Sequence, residues 1–557
     1  MIRHKTFGFL LICLTTLLGL SKQQVKADLF PLSIIHINDF HARFEATDTG
    51  GGTCNDNTAC IGGYARTVYT VKRLLEELKD TNAVYFNAGD SFQGTLWYNI
   101  GRWNVTSQFL NMLPADAMTL GNHEFDHGVE GVVPFLESLN TTMLVANMYS
   151  TNEPEMTGKY QKSMIIERSN RKIGVIGVIL ETTYDLANTG NLIFRNESVA
   201  IVEEAEKLKS QGANIIIVIS HCGYEVDKLI AEHAGSEIDV IVGSHSHTFL
   251  YTGDNPPGPD TPKGDYPTQV THASGHRVLI VQAGAYAKYV GNLTVYFDDD
   301  GNVVDFEGAP IYMSNSVPED KEIKEFMPTW KNIIETAGSA KIGETIVNLE
   351  HTECEYKECN IGNFYTDAML NKLMSLSPYN SSHWTNVSIA LAAAGELYLT
   401  LPRGAITYGQ VYSLCPFEAP LVAFDLEGVH LKAALEKSVS RINFLNKINA
   451  TNTFLQVSGL KVIYNLWNPV NKRVLKVKVR CAHCKVPIYE NLDINKVYRI
   501  LTTRYVAGGG YGFSMFKQYG QNRQEYFTDM ASIMEYVNKT SPIYRGLEGR
   551  INIFNVV

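Results

Sequence analysis

Short apolar runs alternate with amphipathic stretches through the first half of the chain, and this alternation predicts an α/β domain. Runs of β-branched and aliphatic residues bounded by turn residues are typical of buried strands. Between the runs, "ARTVYTVKRLLEELK" and "SVAIVEEAEKLKSQG" have helical spacing. Because the runs are apolar throughout, the sheet is expected to be covered on both faces. The predicted strands are 32–37, 83–88, 143–147, 172–179, 214–220, 239–244 and 278–284.

The second half has its own elements, which predict a second domain. Helices are expected in "NIGNFYTDAMLNKLM" and "HLKAALEKSVSRI", one strand in "LQVSGLKVIYNL" and a glycine-rich turn in "YVAGGGYGF". Residues 254–267 are rich in Pro and Gly and predict an exposed loop. The expected division is a first domain at 28–317, a linker helix at 318–340 and a second domain at 341–557.

Residues 1–27 predict a secretory signal peptide. Basic residues at 3–5 precede an apolar run at 7–20, and Val25 and Ala27 occupy the small-residue positions before a cleavage site. A membrane anchor is the alternative, but the run is shorter than the ~20 residues of a spanning helix. The chain ends without the tail of a lipid-anchored protein. We therefore expect a secreted, extracellular protein with no membrane anchor.

Cysteine usage and glycosylation signals agree with export. Close pairs in an exported chain predict small disulfide loops, and these pairs are Cys54/Cys60, Cys354/Cys359 and Cys481/Cys484. Cys222 and Cys415 can pair or remain free. Sequons of the form N-x-S/T predict a glycosylated surface. They occur at Asn104, Asn140, Asn196, Asn292, Asn380, Asn386, Asn449 and Asn538.

Polar clusters stand at the ends of the apolar runs, and their residue types are those of a metal site. In open α/β sheets, sites form beyond the carboxyl ends of the strands. Imidazoles and carboxylates suit zinc and similar ions, and a carboxylate can bridge two of them. Two ions ~3.5–4 Å apart can activate water and stabilise a phosphoryl oxygen. The candidate ligands are Asp39, His41, Asp90, Asn122, His221, His245 and His247.

One of these clusters, "TLGNHEFDHG" at 119–128, can also be read as an ordinary loop between a strand and a helix. Asn, His, Asp and Gly are all common in turns. The agreement among several strand ends favours the metal site. Glu124 and His127 receive no role and are interpreted as surface residues or as residues behind the ligands.

At these residues the chain resembles the 5'-nucleotidase/apyrase family of two-metal phosphoesterases, most closely its secreted salivary apyrases from blood-feeding arthropods. The motifs are "HINDFHARFE", "NAGDSFQGTLWY", "TLGNHEFDHG", "SHCGYEVD" and "VGSHSHTFLY", and the resemblance covers about residues 30 to 555. It implies a four-layer metallophosphoesterase domain, a β-sandwich flanked by helices, followed by a smaller α/β substrate-binding domain.

The resemblance also implies roles for single residues. Asp39, His41 and His247 would hold one divalent ion, Asn122, His221 and His245 the other, and Asp90 would lie between them. The ions would be zinc or another divalent cation such as calcium or magnesium. His123 and Asp126 would form the catalytic dyad, in which the carboxylate orients a His that steadies charge on the phosphoryl oxygens and leaving group.

The resemblance is less complete in the second domain, where the family binds the nucleotide. Phe417 and Tyr505 match the positions that stack on the base. Positions where the family has phosphate-gripping or ribose-binding side chains differ here and are Glu355, Ala392, Leu397 and Tyr511. Leu offers no hydrogen bond to phosphate and Glu repels it, so weakened or altered nucleotide binding is expected. Lys357, Arg403 and Arg504 are candidates to compensate.

The tripeptide Lys263-Gly264-Asp265 in the predicted loop resembles the integrin-binding motif of platelet-aggregation inhibitors. The chain therefore has two candidate functions. The first is a secreted hydrolase of extracellular nucleotides that counters platelet aggregation, with saliva as its expected location. The second is an integrin antagonist or nucleotide binder on the same scaffold. The net charge of −10 argues against a nucleic-acid partner, and a monomer is expected.

Overall fold

The computed structural model describes residues 29–54, 59–376, 383–442 and 452–554. The predicted signal peptide and the sequons at Asn380 and Asn449 lie outside these ranges. The chain divides into two compact units, Met1–Lys331 and Asn332–Val557. The division falls inside a helix, Lys321–Gly338, which occupies the stretch predicted as a linker.

Two six-stranded sheets form the centre of the first unit. Its strands are Phe30–Ile37 (β1), Val84–Asn87 (β2), Ala117–Met118 (β3), Met148–Tyr149 (β4), Ser163–Arg168 (β5), Arg171–Ile179 (β6), Ile193–Phe194 (β7), Ile215–His221 (β8), Val240–Val242 (β9), Thr268–Thr271 (β10), Arg277–Val281 (β11), Tyr289–Phe297 (β12), Val303–Gly308 (β13) and Ile311–Tyr312 (β14). One sheet has the order β13-β12-β1-β2-β3 with β14 paired to β12, and the other has the order β10-β11-β9-β8-β6-β5. A separate small pair joins β4 and β7.

The two sheets share one hydrophobic core. Leu32 and Phe86 of the first sheet and Ile176 and Val218 of the second are fully buried members of the same cluster. Burial of this apolar surface is the main favourable contribution to folding. The two sheets therefore form a sandwich.

Helices cover both outer faces of the sandwich. The helices of this part of the chain are Tyr64–Glu77 (α1), Leu96–Leu110 (α2), Gly128–Ser138 (α3), Thr183–Leu186 (α4), Glu197–Ser210 (α5), Tyr224–Ala234 (α6) and the Lys321–Gly338 helix (α7). Helix α1 contacts β1, β2 and β12, whereas α5 contacts β5 and β6 and α6 contacts β10 and β11. The order helix, sheet, sheet, helix confirms the predicted four-layer fold.

The polar clusters follow the carboxyl ends of parallel strands. Strands β1, β2 and β3 run parallel in one sheet, and β6, β8, β9 and β11 run parallel in the other. Asp39 follows β1, Asp90 follows β2 and Asn122 follows β3. His221 is the last residue of β8, and His245 follows β9. Each cluster thus lies at a carboxyl end, as predicted.

The second unit contains a five-stranded, a four-stranded and a two-stranded sheet. Its strands are Lys341–Thr345 (β15), Ile389–Ala393 (β16), Gly404–Thr407 (β17), Pro420–Glu427 (β18), Leu455–Ser458 (β19), Leu460–Asn465 (β20), Val474–Arg480 (β21), Tyr489–Asn491 (β22), Val497–Thr503 (β23), Gln521–Thr528 (β24) and Ile551–Phe554 (β25). Its helices are Asn360–Ser375 (α8), Tyr408–Leu414 (α9), Gly428–Ser438 (α10), Arg504–Ala507 (α11), Ser514–Tyr519 (α12) and Asp529–Thr540 (α13). Sheet orders are β19-β16-β23-β18-β24, β22-β21-β20-β25 and β15-β17.

Two predicted strands differ from the structure. The single strand expected in "LQVSGLKVIYNL" is divided at Gly459, and its halves β19 and β20 belong to different sheets. Gly459 has φ +76°, and a Cβ there would lie 1.7 Å from the carbonyl oxygen of Ser388. The stretch 143–147 is not a strand; Met143 and Leu144 make isolated bridges to Met118 and Gln161.

The three predicted close cysteine pairs are disulfides, Cys54–Cys60, Cys354–Cys359 and Cys481–Cys484. Cys222 and Cys415 are buried free thiols. Among the described residues, no helix has the length and apolar character needed to cross a bilayer.

Gly121→Ala is expected to destabilise the first unit. A Cβ at this position would lie 2.0 Å from Oδ1 of Asp90 and 2.5 Å from its backbone nitrogen. Relief of that overlap requires backbone movement, so the free energy of unfolding should fall by roughly 1–3 kcal/mol in urea denaturation. In Gly50→Ala the new Cβ would meet only the carboxylate end of Asp48, at 3.3 Å. Equal stability of the two variants would contradict the prediction.

Candidate metal centre

The structure brings the predicted metal ligands of the first unit together. Three overlapping groups of side chains each place their ligand atoms within 4.8 Å of one another. His123, predicted as a catalytic residue, belongs to one of them. The groups are Asp39, His41 and His247; His41, Asp90 and His123; and Asp90, His221 and His245.

Asp90 lies at the centre of these groups. Its Oδ2 is 3.1 Å from Nε2 of His221 and 3.6 Å from Nε2 of His41. Its Oδ1 accepts a hydrogen bond from the backbone N–H of His123 at 3.0 Å. One carboxylate oxygen therefore faces imidazoles from two different strand ends, as expected for a ligand shared by two ions.

The remaining predicted ligands lie on either side of Asp90. Nε2 of His247 is 3.0 Å from Nε2 of His41 and 3.5 Å from Oδ1 of Asp39. Nδ1 of His245 is 2.8 Å from Oδ1 of Asn122. All seven side chains predicted as ligands thus contribute to one continuous cluster.

Backbone carbonyls orient two of the imidazoles toward the cluster. Nδ1 of His41 lies 3.2 Å from the carbonyl oxygen of Phe92, and Nδ1 of His221 lies 2.8 Å from that of Ala88. When Nδ1 donates to a carbonyl, the lone pair of Nε2 is available for a metal. Nε2 of His221 is buried and faces Oδ2 of Asp90 at 3.1 Å. A buried imidazole nitrogen beside a carboxylate oxygen is a pair of donor atoms that suits a divalent cation.

Burial keeps three of the imidazoles neutral, the form that binds metal. It lowers the pKa of His245 to about 3 and that of His247 to about 4, and it holds the pKa of His41 well below its usual value. Burial also raises the pKa of Asp39 to about 7. For Asp90 burial acts in the same direction, but attraction to His221 and other imidazoles outweighs it and depresses the pKa.

His123 and Asp126 form the predicted dyad. Nδ1 of His123 lies 2.7 Å from Oδ2 of Asp126. Burial disfavours the charged imidazole, but attraction to Asp126 and Asp90 outweighs burial and raises the pKa of His123 to about 10. A charged, oriented imidazolium is suited to stabilise developing negative charge.

Two residues near the cluster have contacts that the sequence did not predict. Glu124 is fully buried, which excludes a surface position, and its carboxylate accepts backbone hydrogen bonds. The ring of Tyr286 lies against His41 and His247, with centroids 5.5 and 5.2 Å apart. The guanidinium of Arg43 lies 4.2 Å from the centroid of the Tyr286 ring. The position of Glu124 inside the "GNHEFD" motif was the available signal, whereas nothing local marks Tyr286.

The two predicted stacking residues of the second unit are accessible and each has an aromatic neighbour. The ring centroids of Phe417 and Tyr398 are 5.9 Å apart. Tyr505 lies edge-on to Tyr511, with ring centroids 5.1 Å apart. Tyr505 is 50% exposed and Tyr398 is 45% exposed, so both rings present surface to a ligand. Gly395 contacts the Tyr511 ring, since a Cβ there would lie 2.7 Å from its hydroxyl.

The candidate compensating cations differ in their contacts. Nζ of Lys357 lies 2.6 Å from Glu353, and Nε of Arg504 donates to Glu525 at 2.7 Å. Arg403 is exposed, and its backbone N–H donates to Oδ1 of Asn348 at 2.9 Å. At the altered family positions, Ala392 and Leu397 are buried and present no polar group. The structure therefore offers Arg403 as the most accessible of the three cations.

The Lys-Gly-Asp tripeptide runs beside the segment that follows β9. Lys263 N–H donates to the carbonyl of Phe249, and Tyr251 N–H donates to that of Gly264, each at 2.9 Å. The side chains of Lys263 and Asp265 are exposed. The tripeptide is thus held by backbone pairing and presents two opposite charges.

Family comparisons match both units. Residues 32–249 match the calcineurin-like phosphoesterases, and residues 339–518 match the C-terminal domain of 5'-nucleotidases. The phosphoesterase fold implies divalent metal ions, and the donor cluster described above suits them.

Individual relatives cover nearly the whole chain. A 5'-nucleotidase-related protein of Glossina morsitans morsitans is 47% identical over 98% of each chain. An apyrase of Tabanus yao is 46% identical over 94% of each chain. The crystal structure of a 5'-nucleotidase precursor from Thermus thermophilus is 33% identical, with a TM-score of 0.70, and covers 95% of this chain and 100% of its own.

The fold, the donor cluster and these comparisons agree on the class of reaction. Relatives named 5'-nucleotidase-related protein and apyrase align over both units. Both names refer to the hydrolysis of nucleotides. The chain belongs to the 5'-nucleotidase family and is a nucleotide phosphohydrolase.

Proposed function

We propose that the chain is a secreted apyrase-type enzyme that hydrolyses ATP and ADP to AMP and phosphate. The observation that carries this proposal is the hydrogen-bonded His123–Asp126 pair beside a complete set of metal donors. A pure binding protein needs neither feature. The apyrase of Tabanus yao supports di- and triphosphates as substrates.

Two divalent ions complete the proposed centre. Asp39, His41 and His247 would hold one, Asn122, His221 and His245 would hold the other, and Asp90 would serve both. When bound, the ions supply Lewis-acid stabilisation of the phosphoryl oxygens and lower the pKa of the attacking water. The donor set suits zinc, and a calcium or magnesium ion is the alternative.

The chain's own groups act on the charge that develops at phosphorus. In hydrolysis, the water oxygen bonds to the terminal phosphorus and the bond from phosphorus to the bridging oxygen breaks. The nucleotide leaves with that oxygen and its electron pair, and the proton that the water loses passes to solvent. The imidazolium of His123 offers Nε2–H to the phosphoryl or leaving oxygen, while Asp126 holds the ring at 2.7 Å. Electrostatic stabilisation of this kind is often the largest single contribution to catalysis.

The second unit supplies the proposed base site. Tyr505 and Phe417 provide exposed or half-buried ring faces, and base–aromatic stacking accepts any base because every base has a π-face. Buried Leu397, at the position that the resemblance assigns to an arginine, offers the phosphates no hydrogen bond. The accessible guanidinium of Arg403 is the proposed replacement.

An extracellular role during blood feeding follows from the proposed substrate. The predicted signal peptide, the three disulfides and the relatives from blood-feeding flies support secretion, with saliva as the proposed location. Removal of ADP would counter platelet aggregation.

Integrin antagonism is a second candidate function. It is favoured by one observation, the exposure of Lys263 and Asp265 on a backbone that pairing at Gly264 holds in place. A fixed backbone lowers the entropy lost on binding.

Phosphate release from ATP, ADP and AMP, with each divalent ion added in turn, tests the proposed enzyme. We expect release from ATP and ADP, and a fall of about 10²–10⁴-fold in kcat for His123→Ala because the developing charge loses its stabilising group. The matched control is His233→Ala, since His233 is exposed on α6. Release no greater than that of His123→Ala would contradict hydrolysis, and the AMP assay separates an apyrase from an enzyme that also makes adenosine.

Tyr505→Ala tests the base site. Loss of one stacking face costs about 1–3 kcal/mol, which corresponds to an increase in KM of about 5- to 150-fold with little change in kcat. Tyr544→Ala is the control, because Tyr544 is 72% exposed in the same unit. Unchanged KM in the Tyr505 variant would remove this residue from the base site.

Asp265→Ala tests the integrin candidate. If the loop binds an integrin, the substitution should abolish inhibition of fibrinogen binding to platelets under conditions where ADP is absent, since the carboxylate is the exposed acid of the motif. Phosphate release should stay at the wild-type rate. Equal inhibition by the variant and the wild type would show that the loop is not responsible.

A further inference from the structure

A buried carboxylate gathers four backbone N–H groups behind the donor cluster. Oε2 of Glu124 accepts from Asp90 at 3.1 Å and from Gly121 at 2.6 Å. Oε1 accepts from Ser91 at 2.7 Å and from Phe92 at 3.1 Å. Three of these donors are consecutive residues of the turn that follows β2, so their N–H groups form a concave anion site that is filled from within the chain.

This turn requires such a partner. Asp90 has φ +54°, a left-handed conformation that costs a non-glycine residue about 1–2 kcal/mol. Asp90, Ser91 and Phe92 are at most 1% exposed, so water does not reach their N–H groups from the surface. A buried N–H without an acceptor costs about 1–3 kcal/mol. Glu124 therefore stabilises the left-handed turn at Asp90 by accepting its buried N–H groups.

The same carboxylate joins the turn after β2 to the loop after β3. Gly121 and His123 belong to that loop, and the N–H of His123 in turn donates to Oδ1 of Asp90 at 3.0 Å. Asp90 is thus fixed through its backbone by Glu124 and through its side chain by His123. Its other oxygen is left facing His221 and His41.

We propose that Glu124 is a positioning residue that sets the Asp90 carboxylate in place before a metal ion binds. Glu124 belongs to none of the three donor groups, and it acts through the backbone of Asp90. The inference rests on the proposed function only in taking Asp90 as the shared ligand. It predicts that metal affinity depends on the charge and both oxygens of Glu124.

Glu124→Gln tests this at nearly constant shape. Each oxygen of Glu124 accepts two N–H groups, so an amide NH₂ in place of either oxygen sets donors against two backbone donors. We expect the affinity for Mn²⁺ and for Zn²⁺, measured by calorimetric titration of metal-stripped full-length protein, to fall by about 10- to 100-fold. At saturating metal, KM for ADP should remain at the wild-type value.

Glu197→Gln is the matched control. Glu197 is 5% exposed in the same unit, accepts the backbone N–H of Glu181 at 2.5 Å and belongs to none of the donor groups. This variant should lose stability but keep its metal affinity. Equal metal affinity of Glu124→Gln and wild type, or an equal loss in Glu197→Gln, would overturn the proposal.

A second variant covers the case in which Glu124→Gln does not fold. Glu124→Asp keeps the charge but withdraws the carboxylate by one methylene, and it should also weaken metal binding; wild-type affinity in this variant would overturn the proposal. The readout is metal binding, so its failure is distinct from that of the proposed function. A wild-type protein that bound the ions but released no phosphate would overturn the function alone.

Discussion

The donor cluster depends on backbone turns that most residues avoid. Five of the seven predicted ligands have positive φ: Asp39 at 49°, His41 at 49°, Asp90 at 54°, His245 at 72° and His247 at 53°. Left-handed backbone at non-glycine residues costs about 1–3 kcal/mol at each position and persists only where the surrounding structure determines it. The two sheets hold these turns in place, because each turn begins at the buried end of a parallel strand.

Hydrogen bonds specific to each turn complete this determination. Asn38 donates to Asp39 at 2.7 Å and accepts the N–H of Ala283 at 3.0 Å, which ties the turn after β1 to the end of β11. Glu124 does the same between the turns after β2 and β3. Asn38 thus links the two sheets, whereas Glu124 links two turns of one sheet. These hydrogen bonds offset the local strain, and the sequence spacing does not reveal them.

Buried strands can be predicted from the sequence, whereas hydrogen bonds between distant segments cannot. The strands β1, β2, β6, β8, β9 and β11 were predictable, because buried strands are continuous apolar runs, and the polar clusters follow several of these runs directly. The sequence gives no role to Glu124, since three of the N–H groups that it accepts lie 32 to 34 residues away and no spacing marks them. The division of one predicted strand at Gly459 has the same cause, a close approach to Ser388 from a distant segment.

The second unit shows how loss of charge changes recognition under the proposed function. Stacking on Tyr505 and Phe417 binds the base, and its strength does not depend on the number of phosphates. The guanidinium of an arginine, in contrast, binds most strongly a phosphate at one fixed distance from the base. With Leu397 buried at the family's arginine position, the fixed distance is no longer enforced by that residue. Under the proposed function, affinity then depends on stacking, on Arg403 and on the divalent centre, and the chain would accept nucleotides that differ in phosphate number.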